Sequence, residues 1–180
     1  MNIPNSLTIL RILLVPVFIG FMTYGSYGFA LLTLLLAGLT DAVDGHLARR
    51  LNQRTRLGTL LDPLADKLLL TSSFIALATL HLVPSWLVIL VVSRDLMLLL
   101  GTVVAHVTST PINVTPTFLG KGTTLFQLSY VLLTVFLAWR GVDRSVITPL
   151  MVLMVGFTLA SGFHYLYRGY RAANAAPPLT

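Results

Sequence analysis

The chain has 180 residues, 56% of them hydrophobic and 10% charged, with a formal net charge of +6. Soluble domains carry about 25% charged residues, so this composition excludes an ordinary soluble fold and points to a membrane protein. There is no cysteine, which excludes disulfides and Cys-ligated metals. The basic residues stand at the ends of apolar runs rather than on a polar face, so they suit membrane topology and anionic head groups, not nucleic acid.

A spanning helix needs about 20 mostly apolar residues. The first predicted helix runs over Leu7–Tyr24 with Pro16 inside it. Its first charge is Arg11, so it lacks the basic leader of a cleavable signal peptide, and it runs on into further apolar sequence. A turn at Gly25–Gly28 leads to a second helix over Phe29–Arg50, and a polar, basic loop spans Leu51–Leu57. The third helix covers Gly58–Leu80. Pro84 opens a fourth that reaches Val107, and the Pro- and Thr-containing segment Thr108–Pro116 reads as a loop. The fifth helix covers Thr117–Trp139 and the sixth Val146–Tyr167. The expected fold is all-α and integral to the membrane, with six transmembrane helices around a polar, cytoplasm-facing active-site cavity. Residues 1–171 form one membrane domain, and the tail 172–180, with Pro177 and Pro178, is expected to be disordered.

Lys and Arg near helix ends set the orientation. Arg11, Arg49, Arg50, Arg54, Arg56, Lys67, Lys121, Arg168 and Arg171 fall on one side, and only Arg140 and Arg144 on the other. Both termini are therefore expected in the cytoplasm. Arg94 lies mid-helix and does not bear on orientation.

All six acidic residues are Asp, and four of them, Asp41, Asp44, Asp62 and Asp66, fall within 26 positions. A charge at mid-membrane costs about 2.5–3.5 kcal/mol on insertion scales, and neighbouring carboxylates repel, so such a cluster needs a cation. Residues three or four apart share a helix face. Asp41 and Asp44, with Gly45 and Ala48, occupy one arc of the second helix, and Asp62 and Asp66 lie one turn apart on the third. Two antiparallel neighbours joined by a short loop can bring both pairs to one site. Oxygen-only donors favour Mg²⁺ or Mn²⁺, and four carboxylates can hold two such ions. Gly45 and Ala48 serve either close helix packing or room for a ligand. Arg49 either snorkels or offers a fork to phosphate.

Together these residues read Asp41, Asp44, Gly45, Ala48 and Arg49, an eight-residue interval, then Gly58, Asp62 and Asp66. The pattern resembles the signature of the CDP-alcohol phosphatidyltransferase family at every fixed position, and the likeness extends to the family's six-helix membrane fold. The resemblance implies an enzyme of phospholipid biosynthesis that displaces CMP from CDP-diacylglycerol with an acceptor hydroxyl. It implies Asp41, Asp44, Asp62 and Asp66 as metal ligands, Asp66 also as general base, Gly45, Ala48 and Gly58 lining the cytidine pocket, and Arg49 on the diphosphate. It further implies a homodimer in the bilayer, in a bacterial inner membrane.

The N-terminal Asn2–Arg11 segment, residues 48–53 and Leu61–Lys67 resemble the family's phosphatidylglycerolphosphate synthases, whose acceptor is glycerol 3-phosphate. Ser93, Arg94 and Asp95, with the Pro116–Thr124 stretch and Gln127, also resemble its cardiolipin synthases, whose acceptor is phosphatidylglycerol. Thr123 stands where the former often carry a second lysine, and a free phosphate dianion wants more cations than a phosphodiester. Glycerol 3-phosphate is placed first, phosphatidylglycerol second. Arg94 and Lys121 are candidate acceptor-phosphate ligands. Arg94, mid-helix, must face a cavity or a partner, and Lys121 equally fits snorkelling. Thr8 and Arg11 either line the site or, for Arg11, snorkel. Intramembrane Asp residues also mark ion paths, so a transporter is the rival class, although the repeats and broken helices of transporters are not seen. A non-catalytic scaffold bearing the motif is a third.

Overall fold

The computed structural model describes residues 3–50, 56–107 and 118–175, with side chains described over 6–41, 64–101, 118–169 and at 171. Among the described residues there is no strand. The chain forms α1 (Ile3–Thr23), α2 (Tyr27–Arg50), α3 (Arg56–Thr79), α4 (Ser85–Val107), α5 (Phe118–Arg140), a 3₁₀ turn (Arg144–Ile147) and α6 (Thr148–Ala175). Among the described residues, three stretches, Ser6–Thr23, Phe118–Arg140 and Arg144–Gly169, are long and apolar enough to cross a membrane. In α2 a shorter apolar stretch, Tyr27–Asp41, ends on the first residue of the motif.

Boundaries depart from expectation at the ends. α1 begins at Ile3 rather than Leu7, because Pro4 in a first turn sacrifices no helical hydrogen bond. α6 continues to Ala175, carried past Ala172 and Ala173 by alanine's helix propensity. Residues 176–180 of the expected tail lie outside the described residues.

Three helices end the same way. Gly25, His81 and Gly141 adopt φ of 70°, 54° and 63°. In each case the amide of that residue bonds three residues back and the next amide bonds five back: Gly25 to Met22 and Ser26 to Phe21, His81 to Ala78 and Leu82 to Leu77, Gly141 to Ala138 and Val142 to Leu137. This is the Schellman arrangement, which satisfies carbonyls the helix end would orphan. After the third of these, Asp143 caps the 3₁₀ turn. The Ser145 hydroxyl donates to its carboxylate at 2.6 Å and the Ser145 amide at 3.2 Å, which holds the Asp143 pKa below its ordinary value.

The helices gather into two compact units, Met1–Ser85 with Val131–Ile147, and Trp86–Tyr130 with Thr148–Thr180. In the first, α1 packs against both α2 and α3. Its buried stripe is Thr8, Arg11, Phe18 and Met22, spaced for one helical face. The stripe on α2 is Ala30, Thr33, Leu34 and Ala37, and Asp41 follows Ala37 by one turn. The two alanines let backbones approach. On α3 the buried residues include Ala65, Leu69, Ser73 and Leu77. Thr33 and Ser73 donate to the carbonyls of Phe29 and Leu69, at 2.8 and 2.7 Å. The hydroxyls thus find partners inside their own helices. Gly28 is needed where α2 meets the end of α5, since a Cβ there would lie 2.9 Å from the Trp139 indole nitrogen.

The second unit is built on α4, the Phe118–Tyr130 part of α5, and α6. Phe126 and Phe157 pack with ring centroids 4.6 Å apart, and the bare Cα of Gly122 accepts the Phe157 edge, where a Cβ would come within 3.0 Å. A polar seam runs beside them. Thr123 Oγ1 lies 2.8 Å from the Leu119 carbonyl and 3.0 Å from that of Phe157. Gln127 Nε2 donates to Thr158 Oγ1 at 3.5 Å, and Thr158 donates to the Met154 carbonyl at 2.7 Å.

Candidate active site

The first unit brings two of the four motif carboxylates to one point. Arg11 Nη2 lies 2.9 Å from Asp41 Oδ1, and Nη1 lies 2.6 Å from Asp66 Oδ1. The guanidinium is fully buried, while the Asp41 and Asp66 side chains keep 48% and 46% of their surface accessible. The local sequence explains the arrangement. Arg11 sits on the buried stripe of α1, and α1 is the helix that touches both α2 and α3. A planar fork with separate N–H donors can then serve one carboxylate on each neighbour. Thr8, one turn earlier on the same stripe, is also completely buried.

This is the residue that sequence reasoning left open. A snorkelling arginine would carry its head into water, whereas Arg11 is turned inward. The signals available beforehand were that Arg11 follows Thr8 by three positions, which places them on one face, and that both stand in the N-terminal segment that resembles the family.

Asp44, Gly45, Ala48 and Arg49 lie on the last turns of α2, and Gly58 and Asp62 on the first turns of α3. Their backbones are helical, as the spacing argument requires, but their side chains lie outside the described residues. Among the described residues no three His, Cys, Asp or Glu side chains assemble. Asp41 and Asp66 nonetheless fit a hard divalent cation in donor chemistry. They are oxygen-only, come from two helices, remain half accessible, and concentrate enough negative charge to hold a guanidinium out of water.

In the second unit Arg94 has both a partner and a cavity, the two alternatives its mid-helix position allowed. It is 8% exposed. Nη1 donates to Asp95 at 2.7 Å and Nη2 to Ser161 at 2.7 Å, while its buried Nε has no hydrogen-bond partner. It lines a cavity of about 200 Å³ between α4 and α6, whose other walls are mainly Leu90, Met97, Leu159, Phe163 and Leu166. Lys121 is exposed in the first turn of α5. Ser161, which holds Arg94 in place, carried no signal in the sequence beyond being a small polar residue in an apolar helix.

The family profile for CDP-alcohol phosphatidyltransferase matches residues 1–161, and the chain belongs to that family. It is 34% identical to the CDP-diacylglycerol–glycerol-3-phosphate 3-phosphatidyltransferase of Bacillus subtilis, over 97% of this chain and 98% of that protein. It is 35% identical to a probable cardiolipin synthase (CMP-forming) of Drosophila melanogaster, over 92% of this chain and 57% of the relative. To the human cardiolipin synthase (CMP-forming) it is 33% identical, over 96% of this chain and 63% of the relative. The chain thus spans under two thirds of the two animal relatives and nearly all of the bacterial one.

Proposed function

We propose that the protein transfers the phosphatidyl group of CDP-diacylglycerol to a glycerol-type acceptor, glycerol 3-phosphate in the first place, releasing CMP. The observation that carries this reading is the meeting of Asp41 and Asp66, from two helices, on the buried guanidinium of Arg11 in α1. The protein works in the bilayer as six spans with both termini in the cytoplasm, in a bacterial inner membrane and as a homodimer.

Asp41, Asp44, Asp62 and Asp66 would hold Mg²⁺ or Mn²⁺, with carboxylates enough for two ions. When bound, these ions supply positive charge for the diphosphate and for the departing CMP. Gly45, Ala48 and Gly58 make room for the cytidine, and Arg49 offers its fork to the diphosphate. Asp66 takes the proton of the acceptor hydroxyl as its oxygen attacks the phosphatidyl phosphorus. The bond from that phosphorus to the CMP oxygen breaks, and CMP leaves with the electron pair. Arg94 and Lys121 receive the acceptor phosphate.

Phosphatidylglycerol as acceptor is the second reading, and one observation favours it. The cavity at Arg94 offers a single guanidinium among apolar walls, which suits a phosphodiester carrying acyl chains better than a free phosphate dianion. One assay decides between them. Purified protein in detergent with Mg²⁺ is given CDP-diacylglycerol and either glycerol 3-phosphate, phosphatidylglycerol, inositol phosphate or serine. The lipid formed is then identified. Phosphatidylglycerolphosphate is the expected product, cardiolipin would establish the second reading, and no glycerol-based product would refute both.

A further inference from the structure

A buried arginine is costly unless its charge is matched, and Arg11 is matched by two carboxylates on different helices, at 2.9 and 2.6 Å. Those carboxylates are proposed to hold a divalent cation. A guanidinium and a dication drawn to the same oxygens repel each other strongly in a partly desolvated site. Arg11 cannot snorkel away, since it lies on the packed stripe of α1 between Thr8 and Phe18.

From this geometry we infer that Arg11 is a resident counter-ion. It holds Asp41 and Asp66 together in the metal-free protein, and it sets how tightly the divalent cation binds by competing for the same carboxylates. Without it the carboxylates would repel and draw α2 and α3 away from α1. With it the empty site stays assembled, and the cation is held more loosely than the carboxylates alone would hold it. Loose retention suits a site whose charge must be met by each incoming diphosphate and relieved as CMP departs. Arg11 is thus a positioning residue, acting through Asp41 and Asp66. The inference rests on the metal-binding reading of these carboxylates.

The test measures Mn²⁺ affinity directly on the full chain in detergent, by loss of the free-ion paramagnetic resonance signal, for wild type, Arg11→Gln and Arg11→Lys. Arg11→Gln removes the charge and should tighten Mn²⁺ binding by roughly tenfold or more, as expected when a repelling charge a few ångström away is deleted. Arg11→Lys keeps the charge and should stay within about threefold of wild type on the same electrostatic ground. Unchanged or weaker binding in Arg11→Gln would overturn the inference, and so would equal tightening in both variants, which would make shape rather than charge responsible. A second measurement covers poor folding of Arg11→Gln and failure of the metal reading itself. In excess chelator, thermal stability is compared for wild type, Arg11→Gln, Asp41→Asn and the double variant. A counter-ion makes the two substitutions non-additive, with Arg11→Gln less harmful once Asp41 is neutral. If the losses add, Arg11 is only packed. If wild type binds no Mn²⁺ but the losses are non-additive, the counter-ion pairing stands while the metal assignment and the competition for it fall. If Arg11→Gln folds only with Mn²⁺ present, the dication is replacing the lost charge, as the inference requires.

Discussion

The guanidinium of Arg94 donates to the hydroxyl of Ser161 across 67 residues of sequence, at 2.7 Å, and so ties α4 to α6 inside the second unit. Both residues are almost wholly buried. Ser161→Ala leaves the Nη2 side of a buried guanidinium short of an acceptor. A group left unsatisfied in this way costs about 1–3 kcal/mol. The expected result is a lower melting temperature in detergent, against no change for the exposed control Ser85→Ala. An unchanged melting temperature for Ser161→Ala would mean that Arg94 finds another acceptor and that the serine does not hold it.

Asp66 and Asp41 are both proposed metal ligands, but only Asp66 is assigned the proton. Asp41→Asn should weaken metal affinity and regain part of its activity in excess Mg²⁺. Asp66→Asn should lose roughly 10²–10⁴-fold in kcat and resist rescue. Turnover of Asp66→Asn near the wild-type value at high Mg²⁺ would remove the base assignment. Equal extraction and thermal stability of the two variants is the necessary control.

His81 closes α3 with φ of 54°, in the left-handed region. A side chain there costs roughly 1–2 kcal/mol, and glycine's extra freedom in the unfolded chain takes back about 0.5–1 kcal/mol. His81→Gly should therefore stabilise the protein by about 0.5–1 kcal/mol, the difference between those two effects. Thermal denaturation reads this directly, and a lower melting temperature would show that the imidazole makes a contact worth more than the strain.

The proposal that both ends of the chain face the same side of the membrane rests on the arginine and lysine bias, and the chain has no native cysteine to confuse labelling. Single cysteines at Ser26 and Ala175 should react with an impermeant reagent from opposite faces of sealed vesicles. Labelling of both from the same face would discard the proposed topology.

Asp143 has its pKa lowered first by the Ser145 hydroxyl and then by the Ser145 amide. Its folded value lies below the unfolded one, about 3.9. The cap therefore contributes fully above that pH and fades as pH falls through the folded value. Ser145→Ala should raise the Asp143 pKa toward the ordinary value in an NMR titration of the carboxyl carbon. No movement would assign the lowering to another neighbour.

Much of the architecture was legible before any coordinates. Charge-free runs of helical length mark the helices, and the Gly25–Gly28 turn marks one of the three left-handed helix ends. These signals are local, arising from chain stiffness, dihedral preference and apolar length. His81 was not legible as a helix terminator, because histidine does not favour the left-handed region in the way that glycine does. The spacing of the carboxylates pointed to one helix face on each of two helices, and the family followed from the resemblance of the whole motif to its signature. What required the tertiary structure was the partner of Arg11 and of Arg94. No periodicity says that Arg11 turns inward to Asp41 and Asp66, or that Arg94 rests on Ser161. Whether a long basic side chain reaches water or a carboxylate depends on which helix lies beside it. That neighbour is chosen by packing between segments far apart in the chain, where local sequence carries no record.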